Sequence, residues 1–393
     1  MRDILFMVLQ YLSFHKVKTT ILVLSISLIL YLPTGLKIVV EQSAKSLTSR
    51  AEATPLILGA KGSPLELVLN SLYFDSEVPE AMPYEEYTRI SRYDLALSIP
   101  LHSRFKAGQF PIIGTTLDYF DYRNLALSEG KAMSFLGDCV LGEKAARKMG
   151  VHAGDYLMSS PENVFNLAGE YPLKMHIAGV FNATGSPDDE AVFVDIKTAW
   201  VIEGLAHGHQ DLSKPEATAG VLRQEGNVVI GNASVKQYNE ITPENMGSFH
   251  FHGDPEGFPI TAIIAVPNDE RSSTLLRGKY LGDEENVQIL KPVEVMSELL
   301  ETIISIQNYI VVAMIVVGLS TLATMVLVFL LSLRIRQREI QTMHKIGGAR
   351  GRIAAILASE ILAVLIIGTI ISLVLTLLTA QFGPAILERL LLG

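Results

Sequence analysis

Charged residues, cysteine and tryptophan are all scarce in this chain of 393 residues. Charged residues make up 19% of the chain and hydrophobic residues 49%, whereas soluble domains contain about a quarter charged residues. Cys139 is the single cysteine, which excludes an intrachain disulfide and a zinc ribbon. The formal net charge of −9 argues against a broadly basic surface, so we expect no nucleic-acid binding. The composition indicates a membrane protein.

Motifs for nucleotide binding and for nucleophilic catalysis are also missing. The sequence contains no G-x-x-x-x-G-K-S/T loop, no G-x-S-x-G elbow, no H-E-x-x-H helix and no C-x-x-C pair. We therefore expect a non-catalytic chain that holds no cofactor for catalysis. If the protein depends on ATP, a partner ATPase binds the ATP and its Mg²⁺.

Three long apolar segments explain the high hydropathy. Residues 17–40, 303–333 and 353–380 are each long enough, at about 1.5 Å per residue, to cross a hydrocarbon layer of about 30 Å. The first segment exceeds the roughly 7–15 apolar residues of a signal peptide and precedes no small-x-small cleavage site, so we expect an uncleaved span. Residues 1–16 are too short to span and are predicted to form an amphipathic helix at the cytoplasmic interface.

The short segments that flank the spans indicate the orientation. Residues 334–352, between the second and third spans, contain six basic residues and one acidic residue. The positive-inside rule therefore places this loop in the cytoplasm, together with the amino terminus, which is also basic. Residues 41–302 and the short tail 381–393 then lie outside the membrane.

The outer segment is predicted to fold as an α+β domain. Strand and helix patterns near its two ends, in residues 41–115 and 258–302, indicate one discontinuous α/β unit, and residues 116–257 have the strand and turn patterns of a β-rich insertion. Residues 41–300 contain 36 Asp or Glu and 21 Lys or Arg, as expected of a cell-envelope domain. The predicted elements include strands at 110–115, 176–181 and 287–290, a helix at 143–149 and a polar turn at 184–189.

Four histidines form two pairs of the pattern H-x-H. His207 and His209 make the first pair, and His250 and His252 make the second. On a strand, residues i and i+2 share a face, so each pair is able to supply two imidazoles to Zn²⁺ or Cu²⁺. The nearest carboxylates that would complete such a site are Asp211 and Asp254. The alternative is two hydrophilic loops with exposed histidines, because the sequence does not show that the pairs meet.

An ionisable residue lies inside the third predicted span. Glu360 is about two helical turns from the start of this span, where a charged side chain is costly and marks a functional position. The alternative is a carboxylate at the headgroup boundary that pairs with Arg352 or with a basic residue of another chain.

The loop between the second and third spans has the pattern of a short helix. Residues 337–346 have a helix-forming composition, with Ile340, Met343 and Ile346 on one face, and Gly347–Gly348 ends the helix. A rigid helix between two spans is suited to receive motion from a soluble partner. The alternative is a loop that only carries positive charge for orientation, which would need neither the apolar face nor the glycine pair.

This loop and the following span resemble the signature of the MacB/FtsX-type ABC transporter permeases. The segment RQREIQTMHKIGGARGRIAAILASEILAVLIIG has the family's R-x-R-E-I, then G-A, then a span with Glu near its start. The matching residues are Arg336, Arg338, Glu339, Ile340, Gly348, Ala349 and Glu360. The order of spans and outer domain also agrees, and residues 140–155 and 176–181 resemble the MacB-type periplasmic core.

The resemblance implies a permease subunit of the bacterial inner membrane that transmits mechanical work to a periplasmic domain with a porter-like α/β unit. The partners it implies are a cytoplasmic ABC ATPase, a second copy or a related permease, membrane lipids, and a periplasmic adaptor or substrate protein. The substrates it implies are lipoproteins, peptides or small molecules. The residues it implies for ATPase coupling are Arg336, Arg338, Glu339, His344, Lys345, Gly347, Gly348 and Arg350.

Two other functions are compatible with the sequence. One is an FtsX-like membrane regulator of an envelope enzyme, and the other is an envelope metal-binding protein that uses the H-x-H pairs. One departure from the family concerns the fourth span that its members typically have, since residues 381–393 are too short to cross a bilayer. We expect a three-span variant, a truncated chain or a partner chain that completes the fold.

Overall fold

The computed structural model contains two compact units. The helical unit comprises Met1–Thr48 and Ser297–Gly393, and the sheet domain comprises Ser49–Met296. The residues that the structure describes are 2–75, 77–160, 172–209, 221–225, 228–231, 238–282, 286–335, 337–345 and 349–392.

Long helices make up the helical unit, and short helices accompany the strands of the sheet domain. The described α-helices are α1 Arg2–Phe14, α2 Lys16–Glu52, α3 Pro64–Tyr73, α4 Glu85–Tyr93, α5 Leu117–Arg123, α6 Glu143–Met149, α7 Ile196–Ile202, α8 Glu270–Lys279, α9 Pro292–Ile335, α10 Gln337–Lys345 and α11 Arg350–Leu392. Short 3-10 helices lie at Pro187–Glu190, Met246–Ser248 and Pro255–Gly257.

The strands belong to the sheet domain. They are β1 Leu56–Ala60, β2 Met82–Pro83, β3 Ala96–Ala107, β4 Phe110–Thr115, β5 Leu127–Gly130, β6 Asp138–Leu141, β7 Tyr156–Met158, β8 Lys174–Phe181, β9 Val192–Asp195, β10 Ala206–Gly208, β11 Val221–Glu225, β12 Val228–Gly231, β13 Phe249–Phe251, β14 Pro259–Ile260, β15 Ala262–Pro267 and β16 Val287–Leu290. The strands predicted at 110–115 and 287–290 and the helix predicted at 143–149 are confirmed with the same bounds.

Within the described residues, three helices are long and apolar enough to cross a membrane, as the sequence predicts. These candidate spans are Lys16–Gln42 in α2, Tyr309–Ile335 in α9 and Ile353–Gly383 in α11. In an apolar stretch of 18 residues within each span, only 6% is buried within the protein for α9, against 22% for α2 and 17% for α11. The α9 span therefore presents most of its apolar surface outward, as a helix does where lipid is the solvent.

The first and third candidate spans are joined by hydrogen bonds between their helices. Ser27 Oγ donates to the Gly368 carbonyl at 3.1 Å, and Gln42 Nε2 donates to the Ala380 carbonyl at 3.0 Å. A Cβ atom on Gly368 would lie 2.7 Å from Cγ2 of Ile26, so this glycine permits the close approach of α2 and α11. Small residues and polar side chains are the usual means of packing helices in membranes, where burial of apolar surface drives little association.

The centre of the sheet domain is a mixed ten-stranded sheet. The strand order is β16-β1-β15-β3-β4-β9-β6-β8-β5, and β7 pairs with β8 outside this path. The β4–β9 and β6–β8 pairs are parallel, and the other pairs are antiparallel. Strands from residues 41–115 and 258–302 occupy one end of the order, and strands from residues 116–257 occupy the other. The two predicted parts thus contribute to one continuous sheet, joined where β4 pairs with β9.

Among the described residues of the sheet domain, apolar side chains form two hydrophobic cores. The first gathers apolar side chains of β1 and β15 with Trp200 and Phe258, and the second gathers those of β6, β8 and β9 with Ala145 of α6. Trp200 is the only tryptophan in the sequence and is 2% exposed. Its fluorescence therefore reports the integrity of the first core.

Candidate functional site

The loop predicted to contact an ATPase contains the short helix α10. This helix has nine residues, it follows α9, which ends at Ile335, and α11 begins at Arg350. Three residues of the predicted contact set, Arg336, Gly347 and Gly348, lie outside the described residues. The other members, Arg338, Glu339, His344, Lys345 and Arg350, lie on α10 or in the first turn of α11.

The α10 helix has an apolar side and a charged side. Ile340 lines an apolar groove together with side chains of α9 and α11, among them Leu330 and Leu357. Arg338 and Lys345 are exposed. The apolar side therefore faces the neighbouring helices and leaves cationic groups available to a soluble partner.

The intramembrane carboxylate pairs with a lysine of the first span. Glu360 Oε1 lies 3.6 Å from Lys18 Nζ, and the two side chains are 7% and 25% exposed. Lys18 Nζ also lies 5.3 Å from the ring centroid of Phe329 on α9. Lys18 is therefore a partner of Glu360, whereas the side chain of Arg352, the alternative considered from the sequence, lies outside the described side chains. In the predicted orientation Lys18 and Glu360 lie near the cytoplasmic ends of their spans, and this shared depth is the sequence signal that indicates the pairing.

The two H-x-H pairs meet in space because β10 and β13 form an antiparallel two-stranded sheet. In its register His207 lies directly opposite His250. The His252 amide extends this ladder by donating to the Leu205 carbonyl at 2.9 Å. Forty-odd residues separate the two pairs along the chain, so only the strand pairing brings them together. We call His207, His209, His250 and His252 the histidine cluster.

The imidazole rings of the histidine cluster are in mutual contact. The His207 ring centroid lies 5.0 Å from that of His250 and 4.6 Å from that of His252. The His209 and His250 centroids are 5.2 Å apart, and those of His250 and His252 are 4.8 Å apart. The ligand nitrogens of His207, His209 and His250 all lie within 4.8 Å of one another. The arrangement has the donor atoms and the size of a metal site.

Strand alternation turns the histidines outward. Ala206 is buried, and the Phe251 ring packs against Trp200 and Phe258 in the first core. The residues that alternate with these, His207 and His250, therefore lie on the opposite face. His250 and His252 are exposed, whereas His207 and His209 are half-buried. The cluster is thus supported from beneath by packed apolar residues and is open to solvent above.

The environment of His207 favours its neutral form. Burial and then the positive charge of the neighbouring histidines lower the pKa of His207 from its ordinary value of 6.5. Neutral imidazole is the form that binds metal ions. Of the two aspartates considered from the sequence, Asp211 lies outside the described residues, and the Asp254 side chain accepts a hydrogen bond from the Glu256 amide at 3.1 Å.

A buried ion pair that no local sequence pattern indicates lies elsewhere in the sheet domain. Arg50 donates two hydrogen bonds to the Asp188 carboxylate, at 2.6 and 2.8 Å, and a third to the Tyr119 hydroxyl at 2.7 Å. The Tyr119 hydroxyl in turn donates to Asp188 at 2.6 Å. Burial raises the pKa of Tyr119 well above its ordinary 10, so it remains a donor.

The segment predicted as a polar turn at 184–189 therefore has a structural role. Asp188 and Asp189 are 3% and 1% exposed, and Asp189 accepts hydrogen bonds from the amides of Thr184 and Gly185. Burial alone would raise the pKa of Asp188, but the hydrogen bonds and positive charge of Arg50 outweigh it and hold the pKa below its ordinary 3.8. Because 138 residues separate Arg50 from Asp188, no local pattern links them.

Comparison with known proteins gives limited results. No protein-family model matches the chain, and no curated protein matches it in sequence. Among solved structures, it is similar to the periplasmic region of MacB from Actinobacillus actinomycetemcomitans, with 13% identity over 63% of this chain and 94% of that one, and a TM-score of 0.33. It is also similar to the extracellular domain of the noncanonic ABC-type transporter YknZ from Gram-positive bacteria, with 12% identity over 60% and 98% and a TM-score of 0.32. Such low scores establish no shared function.

Proposed function

We propose that this chain is the permease subunit of an ABC transporter, coupling ATP hydrolysis by a separate cytoplasmic ATPase to conformational work in the outer domain. The observation that carries the proposal is α10, a nine-residue helix between two candidate spans with exposed Arg338 and Lys345. A partner that moves this helix moves the spans on both sides of it. The R-x-R-E-I signature at the same place supports this function over a loop that only sets orientation.

Contacts inside the helical unit provide a path for such motion. The groove lined by Ile340, Leu330 and Leu357 places α10 against α9 and α11. The Lys18–Glu360 pair then links α11 to α2. Because the hydrogen bonds from Ser27 and Gln42 also join α2 to α11, these two spans are expected to move together.

The finer parts of the proposal rest on the positive charge of residues 334–352 and on the resemblance to the MacB/FtsX-type permeases. The protein belongs to a bacterial inner membrane, with α10 in the cytoplasm and the sheet domain in the periplasm. It pairs with a second copy or with a related permease, and its periplasmic clients are lipoproteins, peptides, small molecules, an adaptor or an envelope enzyme. The chain itself performs no catalysis.

Co-purification tests the proposal. The full chain is isolated in detergent from its host, and ATP hydrolysis is measured in whatever co-elutes. An ABC ATPase is expected with the wild type and with Lys131→Glu/Arg271→Glu, a control that changes the net charge equally at two exposed positions of the sheet domain. The variant Arg338→Glu/Arg350→Glu is expected to lose the ATPase.

The outcomes separate the proposal from its alternatives. If no ABC ATPase accompanies the wild type, or if the double reversal retains it fully, α10 is not the coupling element. If an ATPase co-purifies, the dependence of ATP turnover on the client distinguishes transport from FtsX-like regulation. A transporter's turnover rises with a transported molecule, whereas a regulator's turnover responds to the envelope enzyme it controls.

A further inference from the structure

The histidine cluster has a donor set made of imidazole nitrogen. Imidazole suits Zn²⁺ and Cu²⁺, whereas Mg²⁺ and Ca²⁺ require oxygen ligands. The only cysteine, Cys139, is buried in strand β6, so thiolate does not contribute to the cluster. The chemistry of the cluster therefore points to a divalent transition metal of intermediate softness.

We propose that the histidine cluster binds one Zn²⁺ or Cu²⁺ ion that exchanges with the surrounding solution. The cross-strand register of His207 with His250 brings both H-x-H pairs to one face of a two-stranded sheet. Isolated surface histidines have no reason to converge in this way, and a metal ion shared by the rings accounts for the convergence.

The ligand nitrogens of the histidine cluster must move slightly closer together when a metal ion binds. With Zn–N bonds of about 2.0–2.1 Å, the nitrogens of a tetrahedral site lie about 3.4 Å apart. The nitrogens of His207, His209 and His250 lie within 4.8 Å of one another. We expect rotation of the His207 and His209 side chains about their χ angles to supply this contraction, while His250 keeps its hydrogen bond to Ser248.

One imidazole is already oriented for coordination. Nδ1 of His250 lies 3.2 Å from the Ser248 carbonyl oxygen, which only accepts hydrogen bonds. In a neutral imidazole this contact places the proton on Nδ1, which leaves the Nε2 lone pair for a metal ion. Metal-binding histidines usually donate their second N–H in this way, because the bond fixes both the tautomer and the ring direction.

The exposure of the cluster indicates an exchangeable site. Structural zinc sites are closed by four protein ligands, whereas sites with three ligands keep a position for water or another group. His207, His209 and His250 form the compact set, and His252 contacts it from the exposed side. We assign His252 to the fourth position, where it competes with water and where its loss weakens binding less than the loss of His207.

Metal titration of the full chain tests this proposal. The protein is prepared in detergent with a tag that contains no histidine, treated with EDTA and dialysed, and then titrated with ZnCl₂ or CuSO₄ against a chromophoric chelator. We expect one ion per chain. His207→Gln and His250→Gln are expected to weaken binding by more than about 100-fold, beyond the 10–100-fold typical of losing a supporting partner, and His252→Gln by less.

A matched control uses a histidine outside the cluster. The His152 side chain is 78% exposed and belongs to another part of the sheet domain, so His152→Gln is expected to bind metal like the wild type. Unfolding followed by Trp200 fluorescence without metal checks that each variant is folded. Substoichiometric binding by the wild type, or equal losses in His152→Gln and His207→Gln, would overturn the proposal.

X-ray absorption at the zinc edge tests the ligands directly. Three or four nitrogen ligands at about 2.0–2.1 Å with imidazole scattering are expected, and a shell made only of oxygen contradicts the assignment. This site does not rest on the proposed function, since metal content and ATPase retention are measured separately. A chain that binds metal but retains no ATPase would be the envelope metal-binding protein considered from the sequence.

Discussion

Lys18 and Glu360 form an ion pair between the first and third candidate spans, with 3.6 Å between Nζ and Oε1. A charge at the centre of a membrane helix costs about 2.5–3.5 kcal/mol on the smallest scales, and a charge nearer the end of a span costs less but still opposes insertion. Their pairing offsets this cost and fixes which helix faces which. It also gives the carboxylate of the third span a defined partner within the same chain.

Neutralising one member of this pair should lower the stability of the protein more than neutralising both members. Glu360→Leu leaves the lysine charge without its counter-ion, and breaking a buried pair costs roughly 3–5 kcal/mol, less here because Lys18 is partly exposed. Lys18→Met/Glu360→Leu removes both charges and is expected to recover most of the loss. Thermal unfolding in detergent measures this difference. A double variant no more stable than Glu360→Leu would show that the pair is not coupled.

The Arg50–Asp188 pair should make the stability of the sheet domain depend on acid pH. The pKa of Asp188 is held below 3.8, so the unfolded state binds this proton first as the pH falls. The contribution is fully present above about pH 3.8 and is lost as the pH falls through the lower pKa of the folded state. Asp188→Asn is expected to cost roughly 3–5 kcal/mol at neutral pH, because it leaves the Arg50 charge buried without its counter-ion.

Trp200 fluorescence is the measurement, since this residue is buried in the sheet domain. Denaturant unfolding of wild type and Asp188→Asn is compared from pH 3 to pH 7. The stability difference should shrink at the acid end. A difference that stays constant across this range contradicts the assignment of the pH dependence to Asp188.

Even the smallest substitution of Gly142 should destabilise the sheet domain. A Cβ atom there would lie 2.1 Å from the Asp188 carbonyl oxygen and 2.4 Å from the Asp189 carbonyl carbon. Gly142→Ala therefore displaces the segment that holds Arg50, and we expect a loss of about 1–3 kcal/mol, as for other overpacked sites. Gly257→Ala serves as the control because a Cβ atom there meets nothing within 4 Å. Equal stability of the two variants would show that the segment containing Asp188 and Asp189 moves aside at no cost in stability.

Zinc should stabilise the sheet domain through the histidine cluster. A ligand that binds only the folded state at 100 times its Kd adds about 2.7 kcal/mol to the free energy of unfolding. Phe251 of β13 packs against Trp200, so Trp200 fluorescence reports this region. Zinc is expected to shift unfolding of the wild type and of His152→Gln but not of His250→Gln. A similar shift in His250→Gln would indicate that zinc acts elsewhere.

The sequence predicts local features well, because they depend on local patterns. Apolar length identifies three spans, and the period of hydrophobic residues gives the bounds of α6, β4 and β16. The H-x-H spacing predicts that the two imidazoles of each pair share a face, and the ring centroids are 5.9 Å apart in the His207–His209 pair and 4.8 Å apart in the His250–His252 pair.

Pairings between distant segments are not available from such patterns. The contact of the two histidine pairs depends on the β10–β13 register, and the burial of Asp188 depends on an arginine 138 residues away. A run of polar residues at 184–189 has the composition of a solvated turn whether or not a distant arginine covers it. The division of the outer segment into a porter-like unit and an insertion stays a prediction, because both parts contribute strands to one sheet.

Site-specific crosslinking from α10 tests the central claim most directly. A photoreactive residue replaces Gln341, which is exposed on α10, and a second version replaces Lys131 of the sheet domain. Both are illuminated in intact cells of the host, and adducts are identified by mass spectrometry. The proposed function predicts an adduct with an ABC ATPase from position 341 and none from position 131. An ATPase adduct from neither position, or only from position 131, would contradict it.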